Sequence, residues 1–137
     1  MPKILLIISL IFHSFSSFAY LGETSLVKKS NSSLSRTQSY SVLTTEENGI
    51  TIKEYLNSSG QVFAVSWKGI THPDLQPIFG EYYTEFEKIK TNEHRGMHHY
   101  SVRSEKLVVE KSGRMRNVSG HAFVPDLLPQ GFNTNEL

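Results

Sequence analysis

The chain contains no cysteine among its 137 residues. For a small sequence that opens with an export signal this is the tightest constraint, because exported domains of this size commonly lean on disulfides. An apolar core must hold the fold instead. The same absence excludes a disulfide scaffold, a thiolate zinc site, a cysteine nucleophile and the acylated cysteine of a bacterial lipoprotein. Hydrophobic residues make up 38% of the chain, which fits one small domain. Fourteen Lys and Arg face 13 Asp and Glu. Loss of Lys3 with the signal leaves 13 minus 13, a net charge of zero, so no global field recruits nucleic acid or an anionic membrane, and any electrostatic steering must be local.

Residues 1–19 follow the plan of a signal peptide: Lys3, an apolar run from Ile4 to Phe12, then Ser17-Phe18-Ala19. Cleavage is expected between Ala19 and Tyr20. The run is shorter than the roughly 20 residues that cross a bilayer, and no later stretch approaches that length, so no transmembrane anchor is expected after cleavage. The remaining 118 residues (137 minus 19) carry the fold. Residues 20–38 are rich in Ser, Asn, Lys and Thr and read as a flexible leader. Residues 39–124 read as the folded domain. Residues 125–137, with two prolines and Gly131, read as an irregular tail over the surface.

Within the domain, Tyr40–Leu43 and Ile50–Leu56 are β-prone, and Glu46-Glu47-Asn48-Gly49 supplies a turn tolerant of positive φ between them. Gln61–Trp67 is apolar on both faces, with Val62 and Ala64 on one and Phe63, Val65 and Trp67 on the other under simple alternation. It is the expected central strand. Leu75, Ile78, Phe79, Tyr82, Phe86 and Ile89 form one helical stripe, capped by Asp74 so that Pro77 falls at the third helical position. Gly96 marks its far boundary. Tyr100–Val102, Leu107–Val109 and Met115–Val124 follow as strands, with a turn at Lys111-Ser112-Gly113. Val118, Gly120, Ala122 and Val124 share a face of small residues that lets the helix approach the sheet. The pattern gives an α+β fold: an antiparallel meander of about five to six strands in βββ-α-βββ order, with one amphipathic helix on one face. Trp67, Phe63, Phe79, Tyr82 and Phe86 are its structural anchors.

Few residues point to chemistry. Glu93-His94-Arg95-Gly96-Met97-His98-His99 places His94, His98 and His99 near a carboxylate, a composition metal sites use, although Gly96 interrupts the helix that would converge them. His72 and Asp74 flank Pro73 at the helix start, where a catalytic dyad can form, yet capping explains Asp74 without catalysis. His121 alternates with apolar neighbours and reads as a packing histidine. Arg114-Met115-Arg116, with Arg103, Lys106 and Lys111, reads as a basic patch for an acidic partner or as charges protecting a sheet edge. No nucleophile elbow, phosphate loop or paired-carboxylate pattern accompanies them, and no cofactor is expected.

Several short motifs, in order, carry a resemblance: Lys53-Glu54-Tyr55-Leu56, the run Gly60–Gly69, Pro73-Asp74-Leu75, Gly80, Tyr82, Leu107-Val108-Val109, Gly113-Arg114-Met115-Arg116, Gly120 and Ala122-Phe123-Val124-Pro125. From about Tyr40 to Gly131 the chain resembles the bacterial exported family known as domain of unknown function 2844. That resemblance implies a Gram-negative source and a periplasmic or secreted location, and it brings no activity, ligand or site residue. The leading expectation is a non-catalytic module that binds a partner protein or an envelope component through a sheet face or edge. The alternatives are a histidine-dependent or metal-dependent enzyme and a secreted peptidase inhibitor.

Overall fold

The strand expected at the centre of the sheet is central, and its pairing organises everything around it. A computed structural model describes residues 21–24, 32–37, 39–90 and 99–137. The elements run β1 (Ser32–Arg36), β2 (Ser41–Glu47), β3 (Ile50–Leu56), β4 (Val62–Gly69), α1 (Leu75–Phe79), α2 (Tyr83–Ile89), β5 (His99–Arg103), β6 (Val108–Arg114) and β7 (Asn117–Phe123). They form one antiparallel sheet of seven strands in the order β1-β2-β3-β4-β7-β6-β5. The fold is α+β, as the periodicity predicts. The helical crossover carries the chain from β4 to the far edge, and β6 and β7 return until β7 pairs with β4.

The helical stripe buries as expected. Asp74 caps α1 by accepting the amide of Gln76 at 3.0 Å, and Pro77 sits in the first turn, where its missing N–H leaves no gap. Gly80, at φ 51, ends α1, and a 3-10 turn over Gly80–Tyr82 leads into α2. The stripe survives this break. Leu75, Ile78, Phe79 and Phe86 join Leu43, Ile52, Val65, Trp67, Val102, Val109 and Ala122 in the larger core, with Tyr82 and Ile89 packed at its margin. Gly96 lies outside the described residues.

Four sequence expectations need correction. The face assignment in β4 is one: Tyr55 pairs with Ala64 while Leu56 pairs with Val62, so Phe63 is the extra residue of a bulge. A bulge resets alternation by one position, which puts Val62 with Val65 and Trp67 on the helix side and Phe63 with Ala64 on the other. Gly120 is another. It faces Trp67 across the β4–β7 ladder, and a Cβ there would lie 2.4 Å from indole Cζ2, so its smallness admits the tryptophan ring rather than the helix. The turn expected at Lys111-Ser112-Gly113 is displaced to Met115 and Arg116, because the β6–β7 ladder continues through Gly113↔Val118 to Arg114↔Asn117.

The fourth concerns the two ends of the domain. The stretch expected as a flexible leader supplies strand β1, and Leu21 is only 1% exposed. Leu21 N–H donates to the carbonyl of Ile78 at 2.9 Å, and Gly22 and Glu23 exchange backbone bonds with Val62. One apolar side chain and a few main-chain bonds tie Leu21–Glu23 down, and composition averages hide such a contribution. The tail is irregular, with 3-10 turns at Pro125–Leu127 and Thr134–Glu136. It is also a cover. Leu127, Leu128, Phe132 and Leu137 pack on Tyr55, Phe63, Ala64, Val108 and Phe123. The two-sided apolar character of β4 therefore has a partner on each side: helix on one, tail on the other.

Candidate functional site

The face beneath the tail divides into rows, because residues paired across antiparallel strands share a face. Tyr55, Ala64, Phe123 and Val108 form one apolar row, and the tail covers it. The next row reads Lys53, Ser66, His121, Glu110 and Ser101, and the one beyond reads Thr51, Lys68, Ser119, Ser112 and His99. These two polar rows floor a groove of about 440 Å³, bounded at the tail end by Tyr55, Glu136 and Leu137. The described tail residues pack on the apolar row, whose side chains gain from cover, and not on the polar rows, whose side chains need none.

Hydrogen bonds hold the groove wall in place. Tyr40 donates to Glu136 Oε2 at 2.6 Å, and this bond to a carboxylate pushes the Tyr40 phenol above its ordinary value. The Tyr55 hydroxyl donates to the Glu136 carbonyl at 3.3 Å and lies 3.4 Å from Ser66 Oγ. Ser112 and Ser119 hydroxyls are 3.2 Å apart. His121 Nε2 stands 3.8 Å from Glu110 Oε2. Burial lowers the affinity of His121 for a proton and outweighs the opposing pull of Glu110.

Ser66, His121 and Glu110 thus stand side by side on adjacent strands, a composition that hydrolases use. The geometry does not complete it. The imidazole directs Nε2 toward Glu110, Ser66 Oγ is nearest the Tyr55 hydroxyl, and β4 and β7 are interior strands whose amides are committed to neighbouring strands. A backbone oxyanion hole needs free, convergent N–H donors, and an interior ladder has none to give. The groove offers hydroxyls from Tyr55, Ser66, Ser112 and Ser119, cations from Lys53 and Lys68, and a carboxylate from Glu110.

The residues singled out from the sequence fall in several places. His72 Nδ1 accepts the indole N–H of Trp67 at 3.0 Å on the helix side, and Asp74 is engaged separately as the α1 cap. The two form no dyad. His99 is exposed on β5 opposite Ser112, at the rim of the groove, whereas His94 and His98 lie outside the described residues, as do Ala19 and Tyr20. Among the described residues no group of three His, Asp or Glu side chains is placed to hold a metal ion. Trp67, Phe63, Phe79 and Phe86 are buried, with Tyr82 half-buried.

The basic patch does not assemble. Lys111 turns onto the rings of Tyr100 and Phe86 at 4.6 and 5.7 Å, Arg103 and Lys106 sit beside the β5–β6 turn, and Arg114 and Arg116 sit at the opposite end of β6. Sequence reasoning missed Lys53, Ser66, Lys68, Glu110, Ser112 and Ser119 as a set. The available signal was polar residues two apart within strands, but only the strand register brings them into rows.

Among the described residues no helix is long and apolar enough to cross a membrane. Comparison with curated proteins and with solved structures gives no significant match. The family comparison does: residues 17–137 match the model described as protein of unknown function (DUF2844), in agreement with the ordered motifs, and the chain belongs to that family.

Proposed function

We propose that the protein is an exported, non-catalytic binding module, located in the periplasm or secreted, which holds an envelope component in the groove floored by Lys53, Ser66, His121 and Glu110. The observation that supports this most is the half-covered face. The tail packs on the apolar row, and among the described residues no strand or helix lies over the polar rows, which line a groove of hydroxyls and charges. Such a lining suits a hydroxyl-bearing, anionic ligand: serine and tyrosine hydroxyls exchange hydrogen bonds with hydroxyls, and the two lysines match acidic groups. Export rests on the signal-like residues 1–19, and mass spectrometry of the exported form is expected to find Tyr20 at its start.

The test is a titration followed by amide NMR, using soluble peptidoglycan muropeptides and lipopolysaccharide core oligosaccharide as probes, both hydroxyl-rich and anionic. Shifts should concentrate at Lys53, Ser66, Ser119 and His121. A Lys53→Ala/His121→Ala variant should bind about tenfold more weakly or worse, the loss expected when charge-assisted bonds go. No shift with either probe, or equal binding by the variant, overturns the reading. The row Ser66–His121–Glu110 keeps a hydrolase as the second reading. Labelling by a fluorophosphonate that disappears in Ser66→Ala would replace the binding module with that enzyme.

A further inference from the structure

The β6–β7 hairpin ends in Arg114-Met115-Arg116-Asn117, and Met115 is 94% exposed. An unbranched apolar side chain standing almost wholly in water, between two arginines, is unusual at a hairpin tip. The backbone sharpens the point. Arg116 holds φ 60, a conformation that favours glycine or asparagine, while the β2–β3 turn of the same sheet meets the same demand with Asn48 and Gly49 at φ 52 and 76. The tip therefore keeps Met and Arg against local turn preference. Among the described residues β5 reaches only Ser112 of β6 and β4 only Val118 of β7, so edge protection accounts for the charge of the two arginines but not for an exposed methionine between them.

We infer that this tip is a docking point for an anionic lipid surface, with Met115 entering the headgroup boundary and the Arg114 and Arg116 guanidinium groups on lipid phosphates. Three features favour a bilayer over an acidic protein. The tip is a narrow convex wedge, whereas a stable protein interface needs a patch of about 800 Å² on each partner. A bilayer accepts a single inserted side chain flanked by cations. Ile70, 53% exposed, lies at the same end of the sheet, where its neighbour Gly69 pairs with Val118. Glu46 and Glu47 crown the β2–β3 turn at that end too, on the other side of β4, so the surface is met with the β6–β7 tip leading. A shallow recess lined by Ser112, Gly113, Arg114, Asn117 and Ser119 continues the polar groove to this tip, so docking would bring the groove's open end to the headgroups.

The test is co-sedimentation of the chain beginning at Tyr20, which retains every described element and lacks the apolar Ile4–Phe12 run that binds lipid by itself. Phosphatidylglycerol vesicles should carry the protein down and phosphatidylcholine vesicles should not. Arg114→Glu and Arg116→Glu should each weaken binding by about fivefold or more, the worth of one basic residue at an anionic surface. Met115→Asp should weaken it further, Met115→Leu should restore it, and all four variants should keep the parent melting temperature because Arg114, Met115 and Arg116 are exposed among the described residues. Equal sedimentation with both lipids, absence of binding to phosphatidylglycerol, or unchanged binding by Met115→Asp overturns the inference. Capture on immobilised polyglutamate with the same residue dependence, but none on vesicles, overturns it in favour of an acidic protein partner.

Discussion

The indole N–H of Trp67 donates to Nδ1 of His72 at 3.0 Å, and the two rings meet edge to face with their centres 6.3 Å apart. An imidazole that accepts at Nδ1 is neutral, with its one ring proton on Nε2. Protonation of both nitrogens would break the bond and leave the indole N–H without its acceptor. Burial, reinforced by the positive charge of Lys111, holds the His72 pKa below its ordinary value of 6.5.

A pH dependence follows from that bond. The unfolded chain takes up the proton at the ordinary value of 6.5, whereas the folded chain resists it until a lower pH. Stability is therefore complete above 6.5 and falls as the pH drops through that value toward the folded pKa. His121, also lowered by burial, adds a loss in the same direction. Thermal melts between pH 8 and pH 5 should show a decreasing midpoint, and His72→Gln, whose side-chain oxygen accepts without titrating, should flatten part of the slope. A midpoint that rises on acidification contradicts the assignment.

The Trp67 ring also rests on Gly120, so adding a methyl group there sets a Cβ 2.4 and 2.7 Å from indole carbons and 2.8 Å from the Glu110 carbonyl oxygen. Gly120→Ala should cost about 1–3 kcal/mol by overpacking. Trp67→Ala should cost about 3–5 kcal/mol, the range for emptying a buried aromatic site. Combined, the two should cost less than their sum, because the ring is then absent and cannot clash. Urea denaturation of the three variants measures this, and strict additivity would show that the ring and Gly120 are not in contact.

The tail stabilises the sheet through Phe132, whose ring lies 4.9 Å from Phe63 and 5.1 Å from Tyr40, both edge to face. Phe132→Ala should cost about 2 kcal/mol, below the range for fully buried aromatics because this ring is only half-buried. It should also raise binding of a hydrophobic dye by exposing Phe63. If neither changes, the tail does not act as the second cover.

Asp74 serves as the cap of α1, accepting the Gln76 amide. Asp74→Ala should lower stability by about 1 kcal/mol, with Asp74→Ser recovering most of it. Binding to the groove probes should be unaffected, since Asp74 lies on the helix side. Loss of groove binding in Asp74→Ala would restore the catalytic or ligand role that its position beside His72 first raised.

The helix was legible because a stripe with 3.6-residue spacing needs only its own segment to be recognised, and the Asp74 cap and Pro77 fix its start by local chemistry. Strand β3 was legible for the same reason, as was the Asn48-Gly49 turn. The bulge at Phe63 was not. Alternation predicts its side with Trp67, and only the mismatch between the β3 and β4 ladders turns it over. Nor was the ordering of Leu21 and Gly22, whose partners Ile78 and Val62 lie far along the chain, or strand β1, a largely polar strand held by its ladder to β2. The groove is the extreme case: Lys53, Ser66, His121 and Glu110 come from four strands and become neighbours only through three ladders.

By itself, the sequence determined a cysteine-free α+β domain built on one two-faced strand and one amphipathic helix, because side-chain periodicity and capping are properties of short stretches of chain. The tertiary structure decided what covers each face, that the tail packs on the apolar row, and which residues stand side by side in the polar rows. Those outcomes depend on strand register and on packing between segments far apart in sequence, where a shift of one residue exchanges the buried face for the open one.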